Sequence, residues 1–184
     1  MKLFGRVAVA GWIAVALLLG GALVVLHAPL PLPSPPPADG SGRFALIHAL
    51  DLECQCSQRI LDYLRARGAR PDVDETILLV AGDEPTRAAL AARGFAVVPV
   101  DEQTLAGRYG IDAVPVLVIR RPDGTVGYRG SHRPRPQMPP MDLELLGDLR
   151  RNHEPKPLPV VGCAVARALQ ERVDPLGLKY SLWR

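Results

Sequence analysis

The chain has 184 residues, three cysteines and a formal net charge of +3. That length fits one domain with accessory segments, and an odd number of cysteines excludes a fully paired disulfide framework. The positive charge is spread along the chain with no aromatic-interleaved basic stripe, which argues against a nucleic-acid partner.

Val7 to Leu26 carries no charge. As a helix, its twenty residues span about 30 Å, the thickness of a bilayer core. Lys2 and Arg6 precede it, and positive charge stays cytoplasmic, so everything after it is expected on the far side. Residues 1–6 then form a cytoplasmic N-terminus and residues 7–26 a single-pass transmembrane anchor. A cleaved signal peptide is the rival. Its apolar region is usually shorter, and Leu26-His27-Ala28-Pro29 is a poor cleavage site. Both readings export the remainder. Residues 27–42 read as a Pro-rich linker. Six of the nine residues in Pro29–Pro37 lack an amide donor, which predicts a semi-rigid extended spacer, and residues 38–42 supply a flexible joint.

The head follows over residues 43–151. Phe44–Leu50 is an apolar run of strand length. Ser57–Arg67 has Ile60, Leu61 and Leu64 at helical spacing, stopped by Gly68. Thr76–Val80 reads as a buried strand. Asp83 and Pro85 suit a helix start over Asp83–Arg93, with Gly94 ending it. Phe95–Val100 is a strand and Thr104–Tyr109 a short helix closed by Gly110. Val116–Ile119 and Thr125–Tyr128 pair as a hairpin around Pro122-Asp123-Gly124. Strands alternating with helices predict an α/β sheet with an antiparallel hairpin near its end.

The stretch Tyr109-Gly110-Ile111-Asp112-Ala113-Val114-Pro115-Val116-Leu117-Val118-Ile119, followed by Pro122-Asp123-Gly124-Thr125-Val126 and Tyr128-Arg129-Gly130, resembles the thioredoxin superfamily. Within it, the chain is similar to the membrane-tethered group related to TlpA. The resemblance covers about residues 43–132. It implies a thioredoxin-like α/β fold, a mixed sheet flanked by helices, in a bacterial envelope. It also places Pro115 where the family has a cis-proline beside its active site. A proline there offers no amide hydrogen and leaves the backbone of Val114 to an incoming extended peptide. Taken alone, Pro115 reads as an ordinary trans proline opening a strand.

The family's usual Cys-x-x-Cys lies between first strand and first helix. Here that place reads Glu53-Cys54-Gln55-Cys56-Ser57, a Cys-x-Cys. Residues three apart face each other on a helix and residues two apart do not. With Cys54 at the helix start, Ser57 faces it and can donate a hydrogen bond, Cys56 points elsewhere, and unsatisfied amides favour an exposed Cys54 thiolate. In the other register, Cys56 takes the inner family position and Glu53 the outer one, where its carboxylate would weaken the thiol. The first register suits chemistry better. A Cys54–Cys56 disulfide stays open if Cys54 lies outside the helix, as a small and strained ring. The plainer alternative is two structural core thiols.

Cys163, in Gly162-Cys163-Ala164, precedes a helix-like run to Arg172. It is expected either at a helix start, able to resolve a disulfide if the tail folds back, or as a packing residue. The C-terminal extension, residues 152–184, is otherwise an extended joiner through Pro155, Pro157 and Pro159, with a turn at 174–177. Among the histidines, His27 sits at the membrane edge, His48 in the first strand as a core or sheet residue, and His153 in a joiner. His132 reads as a solvated loop residue, and as a third ligand only if the thiols bind Cu(I). Met138 and Met141 are expected to pack.

The expected function is an extracytoplasmic thiol–disulfide oxidoreductase acting on protein thiols and disulfides of the envelope. Cys54 attacks, Cys56 or less readily Cys163 resolves, and Val114, Pro115 and Ser57 hold substrate. Arg59 and the helix start add positive potential. No cofactor and no resident metal are called for. A copper-delivering chaperone on the same scaffold and a non-catalytic binding module are the alternatives.

Overall fold

The structure is a computed structural model and describes residues 2–26, 29–34, 40–135, 137–175, 177 and 179–180. His27 and linker residues 35–39 lie outside the described residues. The chain divides into two compact units, residues 1–28 with 170–184, and residues 29–169.

In the first unit, α1 spans Lys2–Leu26 through the apolar stretch. Among the described residues no helix is long and apolar enough to cross a membrane. In the C-terminal part of the unit, the Asp174 carboxylate accepts the amides of Lys179 and Tyr180.

The second unit carries the head. Its elements are β1 Ala45–Asp51, α2 Gln55–Arg67, β2 Asp74–Val80, α3 Glu84–Ala91, β3 Ala96–Pro99, α4 Glu102–Tyr109, β4 Ala113–Val114, β5 Val116–Arg120, β6 Val126–Gly130, α5 Asp142–Arg150 and β7 Cys163–Ala164. A final helix, α6, covers Arg167–Val173. Local chemistry sets the helix ends. Asp83 and Asp101 cap α3 and α4 by accepting the amides of Thr86 and Thr104. Gly110 closes α4 in the left-handed conformation.

The main sheet has the order β3-β2-β1-β5-β6. β1 runs parallel to β2 and antiparallel to β5. Alternation sends Leu46, His48 and Leu50 to one face, where helices cover two apolar clusters. One joins Leu50, Ile77 and Leu79 to Ile60, Leu61 and Leu64 of α2 and Leu90 of α3. The other joins Leu46, Leu117 and Ile119 to Leu145, Leu146 and Leu149 of α5. Because Ala49 pairs with Val116, the C-terminal end of β1 and the bend before β5 share one edge of the sheet.

The linker and tail differ from the expectation of free spacers. Leu30 and Pro33 are buried. The Leu30 amide donates to the Val160 carbonyl at 2.8 Å, and Ser34 N donates to Gly110 O at 2.9 Å. Alternating Pro and Leu leaves apolar side chains that the head can bury while its carbonyls stay free to pair. The tail does likewise: Val160, Ala164, Val165 and Leu169 are buried.

Candidate functional site

Cys54 is the N-cap of α2 in extended conformation, just outside the helix. Its amide donates to Asp51 O at 3.2 Å and its carbonyl accepts from Gln58 N at 3.0 Å. Ser57, three residues on, is fully buried; its amide and hydroxyl help lower the Cys54 thiol, although the hydroxyl itself makes no hydrogen bond of good geometry.

Two expectations about the thiols need correction. Cys54 is not exposed but 2% accessible. Cys56 does not point elsewhere: with Cys163 it is one of the two neighbours that most lower the Cys54 thiol. The N-cap position is the reason, because Cys54 stands before the helical rule for residues two apart applies. All three cysteines are free thiols. Hydrogen bonds from Cys163 and Cys56 outweigh burial and hold Cys54 far below the ordinary thiol range. The hydrogen bond to Cys54 and burial push Cys56 up, against the opposing charges of Arg133 and Arg59. Of these thiols, Cys54 is the one whose surroundings favour the thiolate.

Val114 and Pro115 lie at the same edge, and the peptide bond between them is cis. Cys163 is not at a helix start. It lies in β7, antiparallel to β4, with Cys163 opposite Val114 and Ala164 opposite Ala113. A small groove beside it is lined by Cys56, Pro115, Ser131, Arg133, Pro134, Arg135 and Val161. The structure thus brings Cys54, Cys56, Cys163, Ser57, Val114 and Pro115 into one neighbourhood.

Asp51, at the end of β1, was not anticipated. Burial pushes its carboxyl up to about 6, the Glu53 amide opposes this, and the charge on Cys54 adds to it. The acidic residue at the mouth of β1, three before the thiol, was the available signal.

His132 is a second correction: it is fully buried, not solvated. Its Nε2 lies 2.9 Å from His48 Nδ1, and His48 Nε2 is 3.4 Å from Glu75 Oε2. The two rings share one hydrogen bond, and His48 Nε2 faces the Glu75 carboxylate beyond it. Arg67 donates to both Glu75 oxygens at 2.9 and 2.7 Å and to Asp142 at 2.9 Å, and Tyr63 donates to Asp142 at 2.9 Å. Burial would raise Glu75, but hydrogen bonds from His48 and Arg67 prevail and hold it at about 2. Burial, together with nearby positive charge, keeps His132 well below its ordinary range and neutral. Among the described residues, no group of three or more His, Cys, Asp or Glu is placed to hold a metal ion. Met141 packs on the α5 cluster, whereas Met138 is exposed.

No protein-family model matches the chain, and no curated protein matches it by sequence. Solved structures do. A hypothetical protein from Sinorhizobium meliloti aligns at TM-score 0.52 and 13% identity, over 76% of this chain and 96% of that one. An uncharacterized conserved protein from Geobacillus kaustophilus aligns at 0.49 and 18%, over 76% and 94%. A secreted Mycobacterium tuberculosis disulfide oxidoreductase homologous to E. coli DsbE aligns at 0.44 and 18%, over 69% and 97%. These likenesses are of fold alone; a mixed sheet of order β3-β2-β1-β5-β6 flanked by helices, with a cis proline just before β5, is a thioredoxin-like fold.

Proposed function

We propose that the protein is a membrane-anchored, extracytoplasmic thiol–disulfide oxidoreductase of the TlpA-like kind, built on a Cys-x-Cys site. One observation carries the reading: Cys54 caps α2 at the end of β1, is lowered by the neighbouring Cys163 and Cys56, and shares the sheet edge with Val114 and Pro115. A thiolate, not a thiol, is the nucleophile, and here the surroundings stabilise it. Cys54 attacks one sulfur of a substrate disulfide, forms a mixed disulfide and releases the other sulfur as a thiolate. A second thiol, Cys56 or Cys163, then attacks Cys54 and releases the remaining substrate sulfur. Ser57 steadies the Cys54 sulfur, and Val114 offers backbone groups to the substrate. The substrates are protein thiols and disulfides of the cell envelope.

The anchor rests on α1. Every described side chain in it is exposed, with Trp12 at 73% and Leu18 at 74%. A helical stretch such as Val7 to Leu26, apolar on every face, needs an apolar surrounding. Lys2 and Arg6 set the N-terminus inside.

The test is reduction of a mixed peptide disulfide by the full chain in detergent. Cys54→Ser is expected to lower the rate at least about a hundredfold, while arginine or lysine changes far from the thiols leave it intact. A Cys54→Ser protein of undiminished rate overturns the reading.

A further inference from the structure

We propose that the tail segment 160–165 is a built-in occupant of the peptide-docking edge, and that Cys163 is the thiol with which Cys54 closes an internal disulfide. This rests on the oxidoreductase reading and names the resolving residue within it.

The segment lies where an extended peptide would pair. Cys163 and Ala164 form an antiparallel ladder with Val114 and Ala113. Val165 N and Ala166 N both donate to Asp112 O, at 2.9 and 3.1 Å. On the other side, Val160 O accepts from Leu30 N, and Leu158 O accepts from Ser131 N at 3.2 Å. The chain is therefore pinned before and after the thiol, which stands opposite Val114 and is the largest influence lowering the Cys54 thiol.

Gly162 is what permits the approach. A Cβ there would stand 1.9 Å from the Val114 carbonyl oxygen and 2.8 Å from Pro115 Cδ. Both atoms belong to the docking bend and cannot swing away as a flexible side chain does. The occupied edge accepts glycine before the cysteine and excludes a side chain. A visiting peptide seated in this register meets the same restriction, so a Gly-Cys pair is the preferred substrate sequence.

Cys163 also suits the bond better than Cys56. Cys54 and Cys56 are two residues apart at a helix start, where a disulfide ring is small and its geometry poor. Cys163 arrives from a separate strand. The exchange balances: one external disulfide is reduced to two thiols, while Cys54 and Cys163 give up two protons and two electrons to form one disulfide. Cys54 attacks the external disulfide with the segment lifted off the edge. Its return carries Cys163 onto the mixed disulfide and expels the second external thiol.

The experiment equilibrates the full chain in detergent with reduced and oxidised glutathione, quenches with acid, and maps disulfides by mass. The parent protein is expected to accumulate Cys54–Cys163. Cys163→Ser, which keeps the strand pairing, is expected to divert Cys54 to glutathione or to Cys56. Gly162→Val is expected to speed alkylation of Cys54 by iodoacetamide at least about tenfold, with a retained melting transition. A parent protein that forms Cys54–Cys56 instead, unchanged by Cys163→Ser, overturns this inference and leaves the oxidoreductase reading standing. If Cys54 forms no disulfide in any variant, the oxidoreductase reading itself falls. An unchanged Cys54 alkylation rate in Gly162→Val shows that the segment does not cover the site.

Discussion

The buried charge network between α2, β2 and α5 gives the sharpest test of the packing argument. Arg67 bridges Glu75 and Asp142, whose side chains are 1% and 0% exposed. Replacing it by Met keeps most of the apolar stem and removes the charge. Two carboxylates are then left buried without their common partner. A carboxyl held at about 2 instead of 4.5 carries about 3 kcal/mol of interaction favouring its charged form. That figure is net of burial, so losing the guanidinium exposes the burial cost too. Breaking a buried pair from one side costs about 3–5 kcal/mol. For a domain of this size, that is a fall of roughly 6–20 °C in melting temperature. The assay is thermal melting of the full chain in detergent at pH 7, followed by near-UV circular dichroism of the tyrosines. Arg67→Met/Glu75→Gln, with one orphaned charge fewer, is expected to recover part of the loss. A fall of less than about 2 °C in the single variant would refute the reasoning.

Three further outcomes follow from the same structure. Glu75 is held at about 2 against an ordinary 4.5, so its contribution is complete above about 4.5 and is lost as pH falls toward 2. His132 is kept neutral below its ordinary 6.5, so the unfolded chain takes up a proton first and stability already starts to fall below about 6.5. Asp51 works the other way, its ionisation costing stability as pH rises toward 6. Between about 6 and 4.5 the Asp51 gain opposes the His132 loss, so urea melts at successive pH values should change little there and decline below about 4.5 as Glu75 protonates; stability that does not fall below pH 4.5 contradicts this. In the pH–rate profile of Cys54 alkylation, the ionisation of Asp51 should give an inflection near 6 that Asp51→Asn removes. An inflection that persists in the variant assigns it to another group. Gly130 has φ +156°, and a Cβ there would lie 2.6 Å from the Leu158 carbonyl oxygen. Gly130→Ala should therefore cost more than about 1 kcal/mol, read as a drop in the melting temperature, and an unshifted transition argues against the close approach.

The sheet and most helices were legible because their signals are local. Asp83 caps the helix it precedes, Gly110 ends the next, and Asp123-Gly124 turns the hairpin, whereas the Asp101 cap starts α4 two residues before the expected Thr104. The β2 start was placed at Thr76 because Asp74 and Glu75 interrupt the apolar run, yet both belong to the strand. Glu75 is tolerated inside only because Arg67, eight residues earlier, reaches it, a pairing that no strand propensity encodes. His132 hid for the same reason. A histidine after a hairpin reads as solvated until His48, on a strand 84 residues away, offers it a ring nitrogen. Helix α5 follows a proline-rich loop and shows only a short apolar pattern, Leu145, Leu146 and Leu149, whose burial depends on β5 and β6.

The site divides along the same line. The place of Cys54 came from the family resemblance and the nearness of Ser57 from helical spacing, whereas its concealment came from chain that the sequence presents as a joiner. Prolines at 155, 157 and 159 exclude a helix and suppress amide donors, but they do not stop carbonyls from accepting. Leu158 and Val160 use that freedom, taking hydrogen bonds from Ser131 and Leu30. Once both are held, the next residues have little choice of path, and Gly162 lets them pass within contact of Val114. A proline-rich segment thus acts as a guide rail that delivers a third thiol to the first two. The physical requirement is a glycine at one crossing and free carbonyls on either side of it, and neither is visible as periodicity.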